Sequence, residues 1–372
     1  MKKITCLLLL GAVVLTACNT LSITNETDVA TEITDVTTEI TSAATTTAIT
    51  HASEITVENA PAEEDFNGNI ITLNENGTIE INEGGTHIVS GATANGRIVF
   101  NTSEDILIVL NGVDIISPLL PAIEFIGTGN ATIEIADNTT NNLTDIKVKK
   151  KERVNENAVI HSNSSVVITG AGTLNITGES RSTVYAENDI IVQNGTLNLD
   201  SDYEGIACDG ELIINGGRLN ITAKDDALNA ENNLVINDGY IYAVTKGDGI
   251  DSNGDLTING GELYVFAALK KNGGLDISDG DVYGNFYMNG GIVVATGGNN
   301  PIPVDGSSTQ GYSWIEPPRE LDKKEVVTVQ VIAGNGDEVV SFTAPKGFEL
   351  LFVSLPQLER GGHALELVLD RG

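Results

Sequence analysis

Residues 189–210 read DIIVQNGTLNLDSDYEGIACDG, residues 211–232 read ELIINGGRLNITAKDDALNAEN, and residues 233–254 read NLVINDGYIYAVTKGDGIDSNG. These are three copies of one 22-residue unit. Residues 255–280, DLTINGGELYVFAALKKNGGLDISDG, are a fourth copy with an insertion near its end. Gly195, Gly217, Gly239 and Gly261 recur at the same 22-residue period. Within each copy apolar residues alternate, which is strand periodicity and not helical spacing. Ile190/Val192, Leu212/Ile214, Leu234/Ile236 and Leu256/Ile258 form one inward pair of columns. Leu197/Leu199, Leu219/Ile221, Ile241/Ala243 and Leu263/Val265 form a second. Ile206, Leu228, Ile250 and Leu275 mark a third short strand. A fixed period of this length predicts a β-solenoid. Three short strands make one coil of a parallel β-helix, and stacked coils pair in register. The glycine column supplies turn residues with positive φ. Gln193, Asn215, Asn237 and Asn259 share one turn, where side-chain amides can bond from coil to coil as a structural ladder.

Working outward, a looser copy covers 165–188, weaker ones reach back toward residue 70, and another begins at Met288-Asn289-Gly290-Gly291. The solenoid is therefore placed at 66–300. Pro301, Pro303, Pro317 and Pro318 punctuate a linker at 301–324, with Trp314 expected to dock it onto the solenoid. Residues 325–372 offer four alternating strands, 325–333, 337–344, 348–354 and 363–370. They predict a small antiparallel β cap over the open end, which otherwise exposes a pairing edge. The fold class is all-β, a parallel β-helix of 22 residues per coil with a C-terminal antiparallel cap.

The N-terminus has another character. Lys2 and Lys3 precede an apolar run from Leu7 to Leu15, too short to span a bilayer. Leu15-Thr16-Ala17-Cys18 resembles a bacterial lipobox. That resemblance implies removal of residues 1–17, a lipid on Cys18, and residence on the extracellular face of a bacterial membrane. The alternative is an ordinary secretory signal. Residues 18–65 hold 13 Thr and 10 acidic residues with no Gly, Lys or Arg, and read as a disordered, extended stalk. With Cys6 cleaved away and Cys18 lipidated, Cys208 stands alone and no intrachain disulfide forms.

The whole chain carries 52 acidic and 20 basic residues, a net charge of −32; loss of Lys2 and Lys3 with the leader makes it −34. Such a charge excludes general affinity for nucleic acid or anionic lipid. It favours cations, or anionic ligands held through a cation bridge. The acids are not random. Glu204, Asp226 and Asp248 fall in one column; Asp251 aligns with Asn229 and Asp276; Asp209, Glu231 and Asn253 form another, with Asp279 next; Asp202 and Asp225 lie close by. Carboxylates stacked at ~4.8 Å repel one another. Calcium, an oxygen-seeking cation, can bridge two coils, whereas the four scattered His build no metal cluster. The alternative is a solvated acidic face screened by salt.

Lys224 and Lys246 align beside these acids. They read either as charge compensation or as a base for β-elimination on a uronate. Tyr242 and Tyr264 align on outward positions, with Tyr240 on the same face. They read either as a platform for sugar rings or as cross-coil aromatic packing.

Residues 219–261, LNITAKDDALNAENNLVINDGYIYAVTKGDGIDSNGDLTINGG, resemble the repeat of a bacterial family of carbohydrate-binding domain-containing surface proteins, above all in DDA and GDGIDSNG. Residues 341–367, SFTAPKGFELLFVSLPQLERGGHALEL, look like that family's C-terminal end. The resemblance implies a right-handed parallel β-helix similar in shape to polysaccharide lyases. It also implies calcium in the helix and binding to plant cell-wall polysaccharides such as cellulose and pectin. Its acidic repeat positions map onto Asp225, Asp226, Asp248 and Asp251; Asp202, Glu204 and Asp209 extend the set by column. Residues 267–274, AALKKNGG, replace the acidic element of the fourth copy. The reading is a lipid-anchored, monomeric polysaccharide binder containing calcium. A calcium-dependent pectate lyase and a surface adhesin or scaffold are the alternatives.

Overall fold

Strands form where apolar residues alternate with Thr, Asn and Ser between glycine turns. The computed structural model describes residues 68–370, except 119, 128, 147–157, 180–181, 268–270, 278–283, 305, 334–335 and 359–364. The leader, the 18–65 segment, Cys18 and Asp279 lie outside the described residues. Every regular element among the described residues is a strand.

The copy at 189–210 folds into Ile190–Val192, Thr196–Ser201 and Ile206–Cys208. Its register is the one the period demands. Ile190 pairs with Leu212, Leu212 with Leu234 and Leu234 with Leu256, all in parallel. Leu197, Leu219, Ile241 and Leu263 line up likewise. So do Ile206, Leu228, Ile250 and Leu275. The third strands make a parallel sheet of nine, from Gly77–Ile81 to Leu275–Ile277, so the solenoid has nine coils. First and second strands belong to one 19-stranded sheet. The inward columns and Cys208 merge into one continuous buried core. Each fully buried Leu or Ile there contributes roughly 1.5–3 kcal/mol.

Gly195, Gly217, Gly239 and Gly261 have φ between +88° and +110°. A Cβ at Gly217 or Gly261 would stand 2.8 Å from a carbonyl oxygen of the previous coil, so the column admits only glycine. The expected amide ladder is present. Asn215 donates to Gln193 at 3.0 Å, Asn237 to Asn215 at 2.7 Å, Asn259 to Asn237 at 2.8 Å, and Asn289 extends it at 2.9 Å.

In the fourth copy the spacing widens. Ile250 pairs with Leu275 and Leu256 with Phe286, so extra residues enter the turns on both sides of Leu275–Ile277. The cap also departs from the expected single sheet of four strands. Glu338–Ala344, Val327–Ala333 and Leu365–Asp370 do form an antiparallel sheet. Leu350–Ser354 leaves them and lies antiparallel between Ile292–Gly297 and Tyr312–Ile315. The physical reason is the open edge of Ile292–Gly297, whose unpaired backbone groups need a partner. The stretch placed as linker thus contains the strand Tyr312–Ile315. Trp314 docks as expected, 4.8 Å from the Tyr312 ring and 5.9 Å from Phe352. A second buried cluster joins Phe266 and Val294 of the solenoid to Val327, Phe342, Phe348 and Leu351.

Candidate functional site

Second and third strands meet at a corner whose turns, 202–205, 224–227 and 245–249, carry the acids. The turns stack because backbone bonds join them: Gly205 N–H donates to the Asp226 carbonyl at 2.9 Å and Ala227 N–H to that of Asp248 at 3.3 Å. The column of Glu204, Asp226 and Asp248 therefore forms as the period predicts. Asp226 Oδ1 accepts from the Asp248 N–H at 2.5 Å, and Asp248 Oδ1 from the Gly273 N–H at 2.5 Å. Glu204 accepts from Ser182 Oγ. Each carboxylate thus clips its own coil to a neighbouring one.

These carboxylates crowd each other. Burial pushes Asp226 up to about 8, and Asp225, Asp248 and Asp251 add repulsion against the single N–H bond that favours its charge. Asp248 rises to about 6, chiefly through burial, then through Asp276 and Asp225, with the Gly273 N–H and Lys271 pulling the other way. Asp225 is raised by burial and by Glu204, and Asp276 by burial. A Cβ at Gly247 would stand 2.3 Å from Asp226 Oδ1 and 2.7 Å from Asp225 Oδ1, so both carboxylates converge over bare backbone.

The structure thus brings Asp225, Asp226, Asp248 and Asp251 together, with Glu204 beside Asp225 and Asp276 as a further member. Asp251 also accepts from Asn229 at 3.1 Å. Two residues stand apart. Asp202 forms an ion pair with Lys224. Asp209 follows the far end of Ile206–Cys208, where it accepts the Tyr185 hydroxyl at 2.8 Å. That bond, after burial, raises Tyr185 above its ordinary range.

The oxygen-only donor set, its burial and its mutual repulsion fit a hard cation in chemical type. Among the described residues, no three acidic, His or Cys side chains are already gathered closely enough to hold an ion.

Of the lysines, Lys224 is held by Asp202 and Lys246 is exposed. The sequence reading missed a third. Lys346, from the turn before Leu350–Ser354, donates to the Thr245 carbonyl at the same corner. Burial and Lys246 lower it to about 8. No local pattern signals this, because the contact joins the cap to a solenoid turn far away in sequence.

The outward face of the second strands holds the tyrosines. One register column runs Asn142, Asn175, Asn198, Asn220, Tyr242, Tyr264. Its asparagines form another ladder: Asn175 donates to Asn142 at 2.9 Å, Asn198 to Asn175 at 2.8 Å and Asn220 to Asn198 at 2.7 Å. Tyr242 and Tyr264 are half-buried against the apolar cluster shared with the cap. Tyr242 lies 5.6 Å from Phe266, Tyr240 lies 6.2 Å from Tyr264, and the Arg218 guanidinium sits 3.9 Å over Tyr240. Burial raises Tyr242; burial and Glu262 raise Tyr264 to about 12. The rings do pack across coils, and the cap stands over part of the face they occupy.

With this geometry in view, the model of the carbohydrate-binding domain-containing protein family matches residues 75–309. The chain belongs to that family. The matched span holds the acidic corner and the asparagine face, and ends before the three-stranded cap sheet. A polysaccharide lyase-like protein from C. thermocellum, solved as a gadolinium derivative, is similar in fold: TM-score 0.53, 24% identity, 60% of this chain and 99% of that one covered. No curated protein matches the chain.

Proposed function

We propose that this carbohydrate-binding family member is a surface lipoprotein that binds cell-wall-type polysaccharide, pectin or cellulose, with calcium held at the acidic corner. One observation carries the calcium reading. Asp226 and Asp248 are half-buried and repelled by Asp225, Asp251 and Asp276, with Lys271 and a single N–H bond to each acting the other way. A divalent cation removes that repulsion, and Asp225, Asp226 and Asp248 are the residues that would hold it. Such an ion also gives the carboxylates of a uronate chain a counter-charge at the solenoid surface. Anchoring follows from Cys18 in its lipobox-like setting and places the protein on the extracellular face of a bacterial membrane. Residues 18–65 serve as the spacer.

The test is co-sedimentation of the protein with pectate gel and with insoluble cellulose, in calcium and in chelator. Retention on pectate that requires calcium and is lost in Asp226→Asn supports the corner as a metal-bridged glycan site. Absence of retention on both polymers would falsify polysaccharide binding. For the anchor, Cys18→Ser should move the protein from the membrane fraction to the soluble one. The lyase alternative is favoured by Lys346, an amine lowered toward neutrality beside the acids. It requires an unsaturated product from a pectic substrate, lost in Lys346→Met with melting unchanged.

A further inference from the structure

The asparagine ladder on the outward face lies apart from the acidic column and is not used by it. Each interior amide, Asn175 and Asn198, spends one N–H and one acceptor position on its neighbours. An Asn side chain has two N–H donors and two acceptor positions, so the ladder leaves one of each over. These repeat along the solenoid at ~4.8 Å. Thr177, Asp200 and Thr222 flank the ladder on one side, Thr173, Thr196 and Arg218 on the other, and Asn142, Asn175, Asn198 and Asn220 are only half-buried. The surface is flat because every member sits on a strand in unbroken register.

Three observations say what such a surface fits. Its groups are donors and acceptors already ordered by bonds to each other, so engaging them costs little conformational entropy. Its edge opens into a cavity of about 310 Å³ lined by Thr177, Gly178, Glu179, Asp200, Asp202 and Lys224. That is the lower end of the roughly 300–1,000 Å³ of ligand sites. The carboxylates there disfavour a polyanion and suit hydroxyl groups, which donate to them. The face also lies wholly inside the span matched by the carbohydrate-binding family. Its upper limit is set by the cap, which packs where Tyr242 and Tyr264 replace asparagine in the column.

We propose that the ladder of Asn142, Asn175, Asn198 and Asn220, with its flanking threonines, is a second, calcium-independent surface for a linear neutral polysaccharide chain lying along the solenoid axis. The inference rests on the polysaccharide-binding reading above and parts from it in location, ligand charge and ion dependence. Sugar hydroxyls both donate and accept, and so match the spare N–H and lone pair of each amide. A ladder spanning three coil steps, roughly 14 Å, contacts a short run of sugars at once.

The test uses the full chain and microcrystalline cellulose in chelator, so that the acidic corner is silent. The double variant Thr177→Lys/Thr196→Lys sets long side chains over the ladder without breaking its amide bonds. Retention of the unaltered protein, with at least ~tenfold weaker retention of the variant at unchanged melting temperature, is the expected result. Equal retention of both overturns the proposal. Failure of the unaltered protein on cellulose, with calcium-dependent retention on pectate, also overturns it and leaves the corner reading standing. Failure on both polymers removes the two together. Should the variant misfold, titration of the unaltered protein with a soluble cello-oligosaccharide decides. Side-chain amide resonances of Asn175 and Asn198 shift if the surface is used and stay fixed if it is not.

Discussion

Two stacks of side chains run along this solenoid at the same coil spacing and behave in opposite ways. Asn142, Asn175, Asn198 and Asn220 attract: each amide after Asn142 donates to the one before it. Glu204, Asp226 and Asp248 repel: a carboxylate only accepts, so stacking gives each another acceptor and another negative charge. The asparagine stack needs no ion to hold together. Asp226 and Asp248 are clipped to backbone N–H groups and still hold their protons above the ordinary carboxylate range. Equal geometry with different chemistry produces a self-bonded amide ladder in one place and mutual repulsion in the other.

Reciprocal exchange is the sharpest way to break the contrast. The largest effect is expected from calcium itself. At a hundredfold over its dissociation constant, a bound ion adds about 2.7 kcal/mol, a rise in melting temperature of roughly 4 °C. Asp226→Asn should abolish this rise while melting higher than the unaltered protein in chelator near neutral pH, because an amide enters the half-buried corner without taking up a proton and keeps the acceptor for the Asp248 N–H. An unchanged calcium response in that variant would move the ion elsewhere.

Next comes pH. The folded pKa of Asp226 is raised from 3.8 to about 8, so between those values the folded state holds a proton that the unfolded state releases. Its contribution is full below about pH 4 and is lost as pH rises toward 8; Asp248 acts in the same direction between 3.8 and about 6. Calorimetry in chelator should therefore show melting fall from pH 5 to pH 8, and calcium should flatten the fall. A melting temperature that rises over this interval in chelator would contradict the buried arrangement.

The opposite exchange, Asn198→Asp, removes the donor to Asn175 from the neutral ladder. It should destabilise by about 1–3 kcal/mol, measured by denaturant unfolding. The smallest effect is expected at the exposed ladder, where Asn237→Ala should cost about 0.5–1.5 kcal/mol. If Asn198→Asp cost no more than Asn237→Ala, the two amide ladders would be equivalent and the outward face less ordered than drawn.

The regular half of the molecule was legible because coil stacking repeats one chemical environment every 22 residues. The inward columns, the positive-φ glycines, the exposed ladder and the acid column could all be read from that period. The Asn142 ladder escaped because its members are 33, 23 and 22 residues apart. Turn lengths vary there while strand register does not. Asp209 was grouped with the metal candidates because it shares their repeat. A repeat does not say that Asp209 and Asp226 flank opposite ends of the third strand. Lys346 and the strand Leu350–Ser354 lie beyond the repeat, so only packing could assign their partners.

The 22-residue period alone sets the all-β solenoid, its register and which residues face inward, since a period-2 strand inside a fixed coil leaves each side chain only one side to occupy. It also determined that acids would stack at one corner. Tertiary structure decided what those stacks meet. It set the burial that lifts Asp226 and Asp248, and it set Leu350–Ser354 on the open edge of Ile292–Gly297. It also brought the cap down on Tyr242 and Tyr264. Burial and docking depend on parts of the chain that share no period, and their outcome is fixed only when those parts compete for the same surface.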